Sequence, residues 1–348
     1  MLSCSIFTGL LLIAIGSFSS GSFAIPFDKV KGWKWESYWM VYSIGAYLVF
    51  PLLACMIFAP GFITYFKNIP SAVLLKVFFL GVVYGVGNLS FGLSLRYLGI
   101  SLGYALSLGL MLAIGTLIPP LIDGRLTEMI ASSGGTLLIL GVLVSCIGIF
   151  FSGWAGLMKD RIISDTEKKK NITEFSLGKG ILAAILVGIT GSAMSLGFEQ
   201  GIPVVQFAEK AGVNPLFSMM PVMLLLLSGT LVTTIGWCVW LGIRNKSLND
   251  YVRIDSSVNL SLNYSSSLLA GLLWFSQFIL YSMGKSKMGH YTFTSWGVLM
   301  SLTIVFATIW GICKKEWKGV PIKIYFMMIL SLLIIIVSSF MIGISGSI

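Results

Sequence analysis

The chain has 348 residues, of which 56% are hydrophobic and only 10% charged, with a net charge of +10. A soluble domain carries about 25% charged residues, and a disordered chain combines low hydrophobicity with high net charge, so both classes are excluded. A bilayer core takes roughly 20 apolar residues per helical span; ten spans would use about 200 residues and leave no room for a large extramembrane domain.

The run from Ser5 to Ala24 is apolar, but no Lys or Arg precedes it. A signal peptide needs a basic leading segment, so this run reads as a first transmembrane helix. Apolar runs broken by charged or Pro/Gly punctuation then follow. The ten spans lie near 5–25, 37–59, 72–95, 101–122, 135–156, 179–199, 215–243, 265–284, 291–312 and 321–344. The runs are long and do not alternate, which favours helices over barrel strands. The predicted class is an all-α integral membrane protein with ten transmembrane helices.

Loops after the odd spans carry 17 of the basic residues and loops after the even spans carry 5. Positive loops stay in the cytoplasm, so the odd loops are expected inside and both termini outside. The longest polar stretch, Lys159 to Ser176, becomes a cytoplasmic connection between two halves. Asn171-Ile172-Thr173 matches a glycosylation acceptor but would face the cytosol.

The halves look duplicated. Sliding one on the other by 189 residues pairs Asn88 with Gln277 and Arg96 with Lys285. Five spans per half is an odd number, so the second half inserts upside down. The expected organisation is a five-helix repeat at 1–156, a linker at 157–178 and an inverted five-helix repeat at 179–348. Inverted repeats mark secondary transporters, with the substrate site at mid-membrane between the halves.

Polar residues within spans should face the interior, because lipid cannot satisfy them. Trp274, Gln277 and Tyr281 share one face of the eighth helix by their spacing. Tyr84 and Asn88 do so on the third, with Phe91 next. Thr292, Ser295 and Trp296 form a similar set on the ninth. Amides suit sugar hydroxyls, and aromatic rings suit sugar C–H surfaces; the same groups could instead pack and bond between helices. Gly81, Gly85, Asn88 and Gly92 on the third helix, and Ser17, Ser20 and Gly21 on the first, read as close-packing stripes. Glu199 ends the sixth helix, where burial could let it carry a proton. His290, the one histidine, starts the ninth helix on the same side. Lys76 should snorkel, and Arg96 and Asp123 should anchor helix ends. There is no phosphate loop for an ATP motor, no HExxH or GxSxG, and no CxxC among five scattered cysteines. Neither an enzyme nor a metal site is expected, and no cofactor or nucleic-acid partner.

Several strings resemble the bacterial L-rhamnose–proton symporter family of the drug/metabolite transporter superfamily. They are AIPFDKVKGWKWESYW (Ala24 to Trp39), GNLSFGLSLRYLGISLG (Gly87 to Gly103), GGTLLILGVLVSCIGI (Gly134 to Ile149), LAGLLWFSQFILYSMG (Leu269 to Gly284) and the Ser295-Trp296 pair. The resemblance matches Asn88, Arg96, Trp274, Gln277, Ser295 and Trp296 to the family pattern. It implies ten helices in inverted halves, an inner-membrane location and uptake of a deoxyhexose such as L-rhamnose with protons by alternating access. The substrate-binding set expected is Tyr84, Asn88, Trp274, Gln277, Tyr281, Ser295 and Trp296, with Glu199 or His290 for proton coupling. Coupling to another cation, a metabolite exporter of the same fold, and a membrane sugar sensor without transport are the alternatives.

Overall fold

Backbone N–H and C=O groups in a bilayer must be satisfied within the segment itself, which leaves apolar runs of this length only the helix. The structure is a computed structural model. It describes residues 2–122, 124, 131–162, 175–252, 258–287 and 295–345, with the side chains at 2–6, 115–122, 160, 295–297 and 343 left aside.

In chain order the helices are α1 (Leu2–Ser22), α2 (Trp35–Ile44), α3 (Phe50–Phe58), α4 (Phe62–Asn68), α5 (Ser71–Ile122), α6 (Ser133–Ile162) and α7 (Leu177–Gly191). They continue with α8 (Ala193–Gln200), α9 (Ile202–Lys210), α10 (Met220–Arg244), α11 (Leu260–Lys287), α12 (Ser295–Cys313) and α13 (Ile322–Ser345). A π-turn at Gly45–Val49 joins α2 to α3. No β-strand occurs among the described residues.

Among these residues, eight helical stretches are long and apolar enough to cross a membrane. The expected third and fourth spans share α5, broken at Gly99, whose φ of 80° is a backbone state that glycine reaches without a Cβ clash. The expected ninth span corresponds to a shorter apolar helix, Val298–Cys313. Phe79, Phe150, Leu182, Val232 and Phe326 project outward, a surface that water would penalise and lipid accepts. Hydroxyls inside the helices bond back to their own backbone, as Thr308 does to the Ile304 carbonyl and Ser339 to that of Ile335.

The chain divides into two compact units. One comprises Met1–Gly21, Gly87–Ser192 and Gly284–Ile348; the other comprises Ser22–Val86 and Ala193–Met283. Each draws on both halves of the sequence.

In the first unit α6 lies along α13, with Gly148 against Ile335 and Gly141 against Ile342. Leu98, Leu102, Ala155, Ile304, Met328 and Ile335 belong to one buried cluster. Gly21 of α1 meets Phe306 and Ala307 of α12, and Gly188 of α7 meets Leu110 and Ile114 of α5. Gly284 of α11 meets Gly9 and Ile13 of α1, and Gly87 of α5 meets Thr190 and Gly191 of α7. Ser17 donates its hydroxyl to the Leu299 carbonyl at 3.0 Å. The small-residue stripe on the first helix is therefore a packing face.

In the second unit α5 and α10 meet backbone to backbone. A Cβ on Gly81 would overlap the Leu226 carbonyl oxygen, and one on Gly229 would overlap that of Phe78. Thr230 and Thr233 donate to the carbonyls of Gly81 and Val82 at 3.0 and 2.8 Å. Gly271 of α11 brings that helix against α2, where a Cβ would lie 2.8 Å from the Tyr42 carbonyl oxygen. Ala59, Tyr65, Ala208 and Val213 form a small cluster joining the segments after α3 and α8.

Candidate functional site

The close approach at Gly271 sets the geometry of the second unit's interior. One turn further along α11, Trp274 is 5% exposed. Its ring centroid lies 5.3 Å from Tyr47 and 6.5 Å from Tyr42, both in edge-on arrangement. The π-turn carries Tyr47; such turns insert one extra residue and often occur at functional sites. Tyr42 also touches Trp39 at 4.8 Å and stacks on Phe23 at 5.4 Å. The Tyr47 hydroxyl donates to that of Tyr42 at 3.4 Å.

Gln277 is buried three residues beyond Trp274 and donates its amide N–H to the Trp274 carbonyl at 2.8 Å. Its Oε1 and second N–H have no hydrogen bond among the described residues. Tyr84 is buried in the same unit and acts electrostatically on Tyr47. Tyr281 is half-buried. The structure thus gathers Tyr84 and Trp274 around Tyr47, with Gln277 next to Trp274.

Asn88 is also buried, but it belongs to the first unit. There Phe91, one turn away, packs edge-on against Tyr104 at 5.1 Å, and the Tyr104 hydroxyl donates to the Ser20 carbonyl at 2.6 Å. The two amides paired by the repeat therefore fall in different units. Ser295 and Trp296 open α12, but their side chains lie outside the described residues, as do His290 and Thr292 entirely. Asp123 lies outside them too, Arg96 is half-buried, and Lys76 is exposed as expected of a snorkelling residue. Glu199 is exposed at the end of α8, so the burial expected of a proton carrier is missing there.

Three buried carboxylates were not among the residues singled out from the sequence. Glu36, in the first turn of α2, accepts from Asn245 Nδ2 at 2.8 Å and Ser247 Oγ at 2.7 Å. Asp250 accepts from the Lys34 backbone N–H at 2.9 Å and Ser37 Oγ at 2.7 Å. Asn263 bonds both the N–H and the carbonyl of Lys31. In the first unit, Glu316 accepts from the N–H groups of Ile100 and Ser101 at 2.8 and 3.1 Å. It thereby caps the helix that restarts after Gly99. Buried Lys159 lies over the Trp317 ring at 4.6 Å, within electrostatic reach of Glu316. No sequence motif marks these groups, although Glu36 and Glu316 lie within a few residues of expected span ends.

Long apolar helices, outward apolar side chains and an interior of aromatic rings and amides define a multi-pass integral membrane protein. The family described as L-rhamnose-proton symport protein (RhaT) matches residues 2–347. The chain is 32% identical over 344 residues to the L-rhamnose-proton symporter of Yersinia pestis (strain Pestoides F), covering 97% of this chain and 98% of that one. The symporter of Mannheimia succiniciproducens is 32% identical over 343 residues, with the same coverage. The chain belongs to the L-rhamnose-proton symport protein family.

Proposed function

We propose that this protein imports L-rhamnose together with protons by alternating access. The observation that carries this reading is the family match from residue 2 to 347, with curated L-rhamnose-proton symporters alike along their whole length. The interior chemistry of the second unit supports it: Trp274 offers a ring for the C–H face of a 6-deoxy sugar, and Gln277 offers an amide for its hydroxyls; Asn88 belongs to the proposed set by its match to the family pattern. Tyr84, Tyr281, Ser295 and Trp296 complete the proposed binding set.

The proposal includes ten spans in two inverted halves, 1–156 and 179–348, joined by the linker at 157–178. The break at Gly99 and the apolar helix Val298–Cys313 support the count. The helix contacts support the inversion, because they come in exchanged pairs. The first span on the ninth (Gly21) mirrors the sixth on the fourth (Gly188). The eighth on the first (Gly284) mirrors the third on the sixth (Gly87). The third on the seventh (Gly81) mirrors the eighth on the second (Gly271), and the fifth on the tenth (Gly148) maps to itself.

Sidedness has support as well. In the second unit the segments after the first and seventh spans bond to each other. Those after the second and sixth pack together. With the basic residues concentrated after odd spans, the proposed location is the bacterial inner membrane, termini periplasmic and the 159–176 connection cytoplasmic.

The test is uptake of labelled L-rhamnose by cells lacking their own system, with external pH recorded. Sugar-dependent alkalinisation is expected. Asn88→Ala and Gln277→Ala should each lower uptake about tenfold, the loss of one or two hydrogen bonds to substrate. Unchanged uptake in both variants would remove the proposed site; uptake without alkalinisation would remove proton coupling.

A further inference from the structure

Sugar–proton symport, the reading this inference rests on, needs a group that binds a proton and releases it. Among the described residues the buried carboxylates are Glu36, Asp250 and Glu316. Two of them hold backbone in place. Glu316 meets one backbone N–H with each oxygen. Asp250 fixes the start of α2 through the Lys34 N–H. A backbone N–H only donates and cannot turn away, so both carboxylates are tied to backbone that the fold must keep in place, Glu316 through both oxygens and Asp250 through Oδ2.

Glu36 differs in its partners. It is 3% exposed, and both of its hydrogen bonds arrive at Oε1 from side chains. Oε2 accepts none among the described residues. The Ser247 hydroxyl can rotate to accept instead of donate, and the Asn245 carboxamide can turn to present its oxygen. Either protonation state is then satisfied without moving the backbone. Among the described residues, the titratable groups that face Glu36 are Cys238 of α10 and, across Ser37, Asp250 and Tyr251. Among the described residues the neighbouring cations Lys31, Lys34 and Lys246 are exposed, and Arg244 lies over the Trp240 ring at 5.4 Å. Glu36 also stands in the first turn of α2, where the N-terminal end of the helix dipole meets its carboxylate.

The same helix reaches the proposed sugar wall. Trp39 and Tyr42 follow Glu36 on α2, and Tyr42 meets Trp274 of α11. Asn245 and Ser247, which hold Glu36, belong to the segment after α10. Changing the charge at position 36 therefore changes the tie between α2 and that segment.

We propose that Glu36 carries the proton in this symport. The proton adds to Oε2 as the sugar is taken up, and leaves Oε2 to water on release; no other bond is made or broken. Glu36→Gln imitates the protonated state, with an amide oxygen to accept from Ser247 and an amide N–H to donate.

The experiment uses the full chain in proteoliposomes and measures two fluxes. One is L-rhamnose accumulation driven by a pH gradient, with interior acidification recorded. The other is exchange of labelled for unlabelled L-rhamnose at equal pH. Glu36→Gln should lose accumulation and acidification about tenfold or more while exchange continues, and Glu36→Asp should restore part of the coupling with a displaced pH profile. Gradient-driven accumulation by Glu36→Gln at the wild-type level would overturn the proposal. So would parallel loss of exchange and accumulation in both variants, which is the mark of a structural residue. Wild-type exchange with no sugar-dependent proton movement would instead overturn the symport reading itself, and the role of Glu36 with it.

Discussion

Alanine at Gly229 should strongly reduce the amount and thermal stability of the protein in the membrane, whereas alanine at Gly236 on the same helix should leave both unchanged. A Cβ at position 229 would overlap the Phe78 carbonyl oxygen and lie 2.9 Å from the Val82 nitrogen. Both obstacles are backbone, so no side chain can turn aside; α5 and α10 would have to separate. Separation would also stretch the Thr230 and Thr233 hydroxyl bonds to α5. Overpacking of this kind costs about 1–3 kcal/mol, and bonds between membrane helices add about 0.6 kcal/mol each. At Gly236 nothing lies within 4 Å of the added carbon. Thermal melting of the two purified variants, followed by tryptophan fluorescence, compares them directly. Equal melting temperatures would mean that α5 and α10 do not meet here as described.

Glu316→Ala should lower the melting temperature of the protein strongly. It leaves the Ile100 and Ser101 N–H groups buried without acceptors, and an unsatisfied buried donor costs about 1–3 kcal/mol. The helix it caps begins immediately after Gly99, whose backbone cannot continue the preceding turn. Buried Lys159 would lose a neighbouring carboxylate as well. Glu316→Gln keeps one acceptor oxygen and should lose roughly half as much. The melting temperatures of the two variants should fall in that order. Wild-type melting in Glu316→Ala would show that the cap contributes nothing.

Helix positions were readable because they rest on local composition, and the membrane reading follows from them. The stripes at Gly81–Gly85 and Ser17–Gly21 were readable too, since close packing needs small residues at helical spacing; the structure puts backbone or neighbouring side chains against each. The turn between the third and fourth spans was read as 96–100, and one glycine, Gly99, makes it. The carboxylates were not readable. Glu36, Asp250 and Glu316 bond partners more than 200 residues away in sequence, so no local pattern announces them. Glu36 lies in the string KGWKWESYW at the start of a span, where an acid is equally compatible with a solvated helix end. Glu199 was the opposite case: its position beside a span suggested burial, but burial depends on neighbours that spacing does not reveal.

The long loop of chain between Glu36 and its partners also bears on biosynthesis. Asn245 follows Glu36 by 209 residues. A ribosome adding about 5–20 residues per second leaves a wait of roughly 10–40 s between the two. Throughout that interval the carboxylate at the start of α2 has no Asn245 or Ser247 side chain to hold it. The interval is long enough for quality-control proteases or insertases to recognise an unfinished chain. Nascent chains stalled before Asn245 should therefore remain protease-sensitive around residue 36, and protection should appear only once the segment after α10 has left the ribosome.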